Sequence, residues 1–260
     1  MSFAERVSHT NGALGGVTSF AGFERARSAA HAIDFSGLAA ELDSVIRTHA
    51  AGARTQPAPT DVALRHGAIC AIASFAIESE RIARAVVSHV RVWPFFQGIA
   101  MVVHPRPELD APLLVADLMD PPGFATTPRA FIDVCGPAIA RPPFATRFRE
   151  PLAAILDGAH VPRRAPVPAW IAPVSGGAGG RLGARRGSAD VLATTLARYL
   201  ARYLEAVAQA APAADPAANR AAALEVARVV RASGPASRYL ARAFGREYAT
   251  RYLDLLWRAD

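Results

Sequence analysis

Residues 98–118, GIAMVVHPRPELDAPLLVADL, consist of two apolar runs on either side of a loop that contains three prolines. Each run is short and rich in β-branched or other apolar residues, so we predict strands over 98–104 and 113–118. Pro105 ends the first strand because proline has no backbone N–H to donate within a sheet. The short connection favours antiparallel pairing over a parallel crossover.

Further β-rich runs lie on both sides of this stretch, and each is separated from the next by proline, glycine or aspartate. We predict these strands at 67–78, 82–93 and 130–135. Together with the first two, they form an antiparallel meander of about five strands.

Helical patterns precede and follow the strands. The spacing of apolar residues predicts helices over 36–50, 188–209, 217–231 and 236–257, with Ser36 and Ser188 as the N-caps of the first two. A shorter candidate after residue 144 is interrupted by Pro151, and the Pro- and Gly-rich residues 161–187 are predicted as loop.

The order of helix, strands and helices predicts an α/β fold. Helices would cover both faces of a central antiparallel sheet and form a three-layer α/β/α sandwich. We expect residues 34–260 to form a single domain, and the Gly-, Ser- and Ala-rich residues 1–33 to form a poorly ordered N-terminal arm.

The chain of 260 residues has a net charge of +7, and all 29 basic residues are arginine. Without lysine, a Schiff-base mechanism is excluded, and an anion must be bound by arginine, histidine or backbone amides. The sequence has no transmembrane run, secretory signal, dinucleotide fingerprint or zinc-type cluster. We therefore expect a cytoplasmic protein with no membrane or nucleic-acid partner and no bound metal. Cys70 and Cys135 are expected to be reduced structural thiols.

Four segments of the chain resemble the ferredoxin-dependent bilin reductases, the family of phycocyanobilin:ferredoxin oxidoreductase. Each motif alone is weak, but the four follow one another in the family's order with matching gaps. They are MVVHPRPELDAPLLVADL at 101–118, AFIDVCGP at 130–137, RRAPVPAWIAPVS at 163–175 and RYLARAFGREYATRYLDLLW at 238–257.

The resemblance implies an oxidoreductase that binds a linear tetrapyrrole such as biliverdin between the sheet and the C-terminal helices. No cofactor would be bound, because reduced ferredoxin supplies single electrons and the protein supplies protons. A positively charged surface suits an acidic partner such as ferredoxin. By the same resemblance, the protein would be a monomer that acts in phytobilin biosynthesis.

Asp117 matches the central catalytic aspartate of the family. It follows the apolar run LLVA, where a carboxylate is costly unless it is used or paired. Burial against an apolar ligand would raise its pKa, so that it could donate a proton near neutral pH. From the residues alone, Asp117 could instead cap the turn that follows the strand.

The resemblance also assigns other residues to the site. His89 and Arg91, which share one face of their strand, align with a His-x-Glu pair. Arg164 aligns with an arginine that binds a tetrapyrrole propionate, and Trp170 and Tyr239 complete the expected substrate contacts. The residues themselves leave open a hydrogen-bonded strand histidine, a solvated loop arginine and an aromatic stripe that packs in the core.

Three positions depart from the family. Ala100, Gly234 and Pro235 stand where the family has histidine or asparagine, aspartate and lysine. A second proton donor is therefore missing from its usual places, and two other functions stay open. One is a bilin-binding protein without turnover, and the other is a reductase of this fold that acts on a different conjugated substrate in a specialised pathway.

Overall fold

The structure is a computed structural model. It describes residues 33–56, 61–65, 68–93, 96–120, 128–136, 143–161, 163–234, 240–241 and 244–257. Residues 1–32 of the expected N-terminal arm, Pro235 and Tyr239 lie outside the described residues.

A nine-stranded antiparallel sheet forms the centre of the molecule. Its strands are β1 (Arg54–Gln56), β2 (Asp61–Arg65), β3 (Ala68–Glu78), β4 (Ile82–Trp93), β5 (Phe96–Pro105), β6 (Leu113–Asp120), β7 (Arg129–Cys135), β8 (Arg163–Ala165) and β9 (Gly180–Gly183). The spatial order is β1-β3-β4-β5-β6-β7-β9-β8, with β2 also paired to β3. Because β1 and β2 pair with different parts of one edge of β3, the nine strands occupy eight positions.

The predicted meander corresponds to β3–β7 and is confirmed. The four strands at the two edges were not predicted. β1 and β8 have three residues each, too few to show an alternating pattern, and β9 lies in a Gly-rich segment that favours a loop.

Five long helices cover the sheet: α1 (Phe35–His49), α2 (Glu150–Gly158), α3 (Asp190–Ala208), α4 (Pro216–Ser233) and α5 (Arg246–Trp257). The helices α1, α2 and α3 pack on one face, and α4 and α5 pack on the other. Two separate apolar cores result, and the three-layer prediction is confirmed. No helix in the described ranges is long and apolar enough to cross a membrane.

Three helix starts differ from their predictions. Asp34, and not Ser36, caps α1, because its carboxylate accepts hydrogen bonds from two backbone N–H groups of the first turn. The Ser188 hydroxyl donates to the carbonyl of Arg185 and leaves α3 without a side-chain cap. Pro151 does not end the helical segment, because it lies where the π-helical segment Ala145–Arg149 passes into the first turn of α2.

The proline-rich loop between β5 and β6 is held from both helical layers. The buried side chain of Asn219 on α4 donates to the carbonyls of Pro107 and Leu109, at 2.7 and 2.9 Å. From α3, the buried Tyr203 hydroxyl donates to the carbonyl of Pro112 at 2.7 Å. The family-like proline motif thus joins the ends of β5 and β6 to both layers, and its part in this protein is structural.

Asn219→Ala should destabilise the protein by about 1–2 kcal/mol, because two partly buried carbonyls would lose their donor. Urea unfolding measures the change. Thr194→Ala, at an exposed position of α3, is the control and should shift the free energy of unfolding by less than about 0.5 kcal/mol. Equal effects from both substitutions would contradict the role of Asn219 in holding the proline-rich loop.

Candidate functional site

The register of the sheet places Asp117 in a row of side chains that runs across the sheet. Asp117 on β6 lies opposite Ala100 on β5 and opposite Phe131 on β7. The row continues to Ser88 on β4 and to Arg181 on β9. Directly opposite residues of antiparallel strands point to the same face, so all five side chains face the layer of α4 and α5.

Asp117 is half-buried as a residue, and its carboxyl lies deep in the protein. Burial raises its pKa to about 6, against the smaller opposing effects of a hydrogen bond from the Phe131 backbone and the charge of Arg129. A carboxyl with such a pKa is partly protonated near neutral pH and can both accept and donate a proton.

Two aromatic rings stand beside Asp117. Phe131, its direct neighbour on β7, is buried and contacts Trp170, with ring centroids 5.9 Å apart. Trp170 is half-buried and belongs to the same apolar cluster as α5. The structure therefore brings the predicted substrate contact Trp170 into the neighbourhood of Asp117, where a flat apolar ligand could pack against it.

His89 and Arg91 are not brought together with Asp117. On β4, Ser88 and Val90 share the face of Asp117, so His89 and Arg91 point to the opposite face. His89 is buried there and stacks on Phe35 of α1, with ring centroids 5.8 Å apart. The expectation that these two residues form one site with Asp117 is therefore corrected. Each lies one position away from a residue that faces Asp117.

Ser88 forms a buried hydroxyl pair with its cross-strand neighbour Ser74, with 2.7 Å between the two oxygens. Either hydroxyl can be the donor. Ser88 lies on the far side of Ala100 from Asp117, so their strands are two spacings apart, about 10 Å. The sequence drew attention to His89 instead, because serine in a strand carries no comparable signal.

Arg164 also faces away from Asp117. On β8 it lies opposite Leu182, whose side chain belongs to the core on the α1–α3 face. Its exposed guanidinium forms an ion pair with Asp157 of α2. The expected propionate-binding role of Arg164 therefore does not fit this geometry, since the side chain lies on the opposite face from the candidate site.

Arg129 on β7 and Arg181 on β9 also lie on the face of Asp117, and sequence reasoning missed both. Arg129 on β7 lies two residues before Phe131, and Arg181 on β9 lies directly opposite Phe131. Both side chains are exposed, and Arg181 donates to the carbonyl of Pro166 at 3.1 Å. Only the alternation with Phe131, once the register is known, could have identified them.

A second carboxyl with a raised pKa, Asp133, lies two residues beyond Phe131. It is fully buried, and this burial raises its pKa to about 6 against hydrogen bonds from the Ser175 hydroxyl and from backbone N–H groups, including those of Ala178 and Gly179. Gly179 packs so closely against β7 that a Cβ there would lie 1.9 Å from the carbonyl oxygen of Ile132. Asp133 therefore holds the loop before β9 in place.

Two of the three departures from the family now have a position. Ala100 is half-buried directly beside Asp117, where it leaves space instead of a proton donor. Gly234 ends α4, and a Cβ there would lie 2.5 Å from the carbonyl oxygen of Val230. An aspartate at this position would therefore require the end of the helix to shift.

Comparisons with known proteins agree with this geometry at the level of the fold. No family model matches the chain, and no curated protein sequence matches it. A solved structure of phytochromobilin synthase from tomato, in complex with biliverdin, matches with a TM-score of 0.65 and 15% identity over 84% of this chain and 80% of that one. The chain has the fold of phytochromobilin synthase. At this identity the likeness concerns the fold alone.

On this phytochromobilin synthase fold, the raised pKa of Asp117 predicts a pH-dependent stability. Below about pH 4 the carboxyl is protonated in the folded and the unfolded state. As the pH rises from about 4 to about 6, the unfolded state releases this proton while the folded state keeps it, so stability is lost over that range. Asp117→Asn removes this loss.

The Asn variant should therefore exceed the wild type in free energy of unfolding by about 1–2 kcal/mol near pH 8, after allowance for solvent screening. The two proteins should differ little near pH 4. Urea unfolding at both pH values measures the difference. A gap that is the same at both would show that the carboxyl titrates normally in the folded state.

Proposed function

We propose that this protein reduces a linear tetrapyrrole of the biliverdin type, with reduced ferredoxin as the electron donor and Asp117 as the proton donor. The observation that carries the proposal is Asp117 itself. It is a half-buried residue whose carboxyl has a raised pKa, on the sheet face covered by α4 and α5. The biliverdin in the tomato phytochromobilin synthase supports the choice of substrate class.

The chemistry needs both electrons and protons. Reduction of one double bond takes two electrons and two protons, and ferredoxin delivers the electrons one at a time. Asp117 would protonate the electron-rich tetrapyrrole at a carbonyl oxygen or pyrrole nitrogen. The carboxylate would have to take up a second proton from water before the second electron arrives. A single recharged acid suits a two-electron reduction.

The aromatic and apolar surroundings of Asp117 supply the binding surface. Trp170 and Phe131 provide ring faces, and the buried aromatic residues of α5 close the layer above the sheet. A bound apolar ring system would remove further water from the carboxyl and so keep its pKa raised.

Ala100 favours a second candidate function. It lies directly opposite Asp117, where a second proton-donating side chain would reach the same ligand. With one acid only, the protein could hold a bilin without reducing it, or could reduce a different conjugated substrate. A shift of the visible spectrum on mixing with biliverdin would support a bilin as the ligand. A further colour change after addition of reduced ferredoxin would distinguish an enzyme from a carrier.

Asp117→Asn should still bind biliverdin, with an altered spectrum, because the amide keeps the shape and hydrogen bonding of the carboxyl. It cannot give up a proton at neutral pH, so turnover should fall by about 100- to 10,000-fold. A radical should accumulate and be visible by electron paramagnetic resonance after the first electron.

Asp43→Asn, the same substitution at a surface ion pair of α1, is the control and should turn over like the wild type. His89→Gln should also keep its rate per folded molecule, because His89 lies on the opposite face of the sheet. If Asp117→Asn turns over at the wild-type rate, Asp117 is not the proton donor.

The net charge of +7 predicts that association with an acidic ferredoxin is steered electrostatically. Stopped-flow reduction rates at limiting ferredoxin should therefore fall steeply as salt rises from about 20 to 500 mM, where the Debye length shortens severalfold. A small neutral reductant provides the control, and its rate should stay flat. A ferredoxin rate equally insensitive to salt would indicate a different donor.

A further inference from the structure

Among the described residues, Arg129 forms no ion pair with an acidic side chain, and it lies on the strand beside a carboxyl whose pKa is raised. Seven other arginines of the described ranges form ion pairs with Asp or Glu, as Arg231 does with Asp254 at 2.8 Å. Within the same ranges, no carboxylate lies within ion-pair distance of Arg129. Its exposed guanidinium is therefore open to an anion from outside.

The register places Arg129 within reach of whatever Asp117 contacts. Asp117 lies opposite Phe131, so Arg129 is its diagonal neighbour on the same face, with Cα atoms about 7–8 Å apart. The two side chains form no direct ion pair, yet the arginine charge is felt at the carboxyl. A ligand above Asp117 and Phe131 would have Arg129 at its edge.

Few other charges face Asp117. On the neighbouring strands, β7 contributes Arg129 and Asp133, and β9 contributes Arg181. β5 has Ala100 beside Asp117 and the buried His104 four residues farther along the same face, with Arg84 of β4 opposite that histidine. The α4 and α5 layer brings the buried phenol rings of Tyr248 and Tyr252 of α5 to this face. Asp133 is engaged by Ser175 and the loop before β9, and Arg181 is tied through Nε to a carbonyl. Arg129 is thus the cation best placed to form a new ion pair when a ligand binds.

We propose that Arg129 is a positioning residue that couples recognition of a carboxylate on the substrate to protonation of Asp117. The inference rests on the proposed function and adds to it a requirement for an acidic side group on the tetrapyrrole. In the empty protein, Arg129 favours the ionised form of Asp117. A substrate carboxylate that pairs with Arg129 cancels this effect, so the acid is loaded with its proton when the correct substrate is bound.

The test compares biliverdin, which carries two carboxylates, with its dimethyl ester, which carries none. Each is bound to wild type, Arg129→Gln and Arg54→Gln, and its visible spectrum is titrated with pH. Arg54 is an exposed arginine on β1, at the other edge of the sheet, and provides the matched control. A second titration follows the carboxyl carbon of Asp117 by nuclear magnetic resonance without ligand.

In the wild type, the titration midpoint should lie higher with the diacid than with the diester by on the order of one pH unit. Arg129→Gln should remove most of this gap and weaken the diacid about tenfold while leaving the diester unchanged. Without ligand, the same variant should raise the midpoint of Asp117. Arg54→Gln should behave like the wild type throughout.

An Arg129→Gln protein that keeps both the midpoint gap and the affinity for the diacid would overturn the inference. If the wild type binds neither compound, it is the proposed function that fails. The ligand-free titration then still tests whether Arg129 acts on Asp117. An unchanged Asp117 midpoint in Arg129→Gln would show that the arginine does not act on the carboxyl.

Discussion

The antiparallel register that joins β5, β6 and β7 is the constraint on which the candidate site depends. It places Ala100, Asp117 and Phe131 side by side on one face, while their strand neighbours fill the core on the other. A slip of one residue would turn Asp117 into that core. Close backbone contact enforces the register, since a Cβ at Gly98 of β5 would lie 2.5 Å from the carbonyl oxygen of Leu118.

Burial of a charged carboxyl costs free energy, and the two buried carboxyls on this face receive unequal numbers of compensating hydrogen bonds. Asp117 and Asp133 both have a pKa raised to about 6, mainly by burial. Asp133 receives a hydroxyl hydrogen bond from Ser175 and backbone hydrogen bonds from the adjoining loop, so its charge has a structural use. Asp117 is supported by little more than one backbone hydrogen bond and a nearby arginine. A group that is kept reactive in this way lowers stability and is typical of functional sites.

The family-like motifs serve different parts of this molecule. The proline loop at 105–112 is a clamp between the helical layers, held by Asn219 and Tyr203. The segment at 163–175 contributes to both faces of the sheet. Arg164 forms an ion pair with Asp157 on one face, and Trp170 packs against Phe131 on the other. A linear motif thus contributes to the site only through the residues whose alternation matches the face of Asp117.

Asp117 was singled out by the family resemblance, whereas the sequence by itself determined the layer order and the meander of β3–β7. Local patterns suffice for these, because apolar periodicity and proline positions act within a few residues. The tertiary structure alone decided which side chains meet. His89 and Arg91 were assigned to the wrong face, and Arg129 and Arg181 were overlooked, because a strand presents its residues alternately to two faces and only the pairing partners reveal which face holds the site.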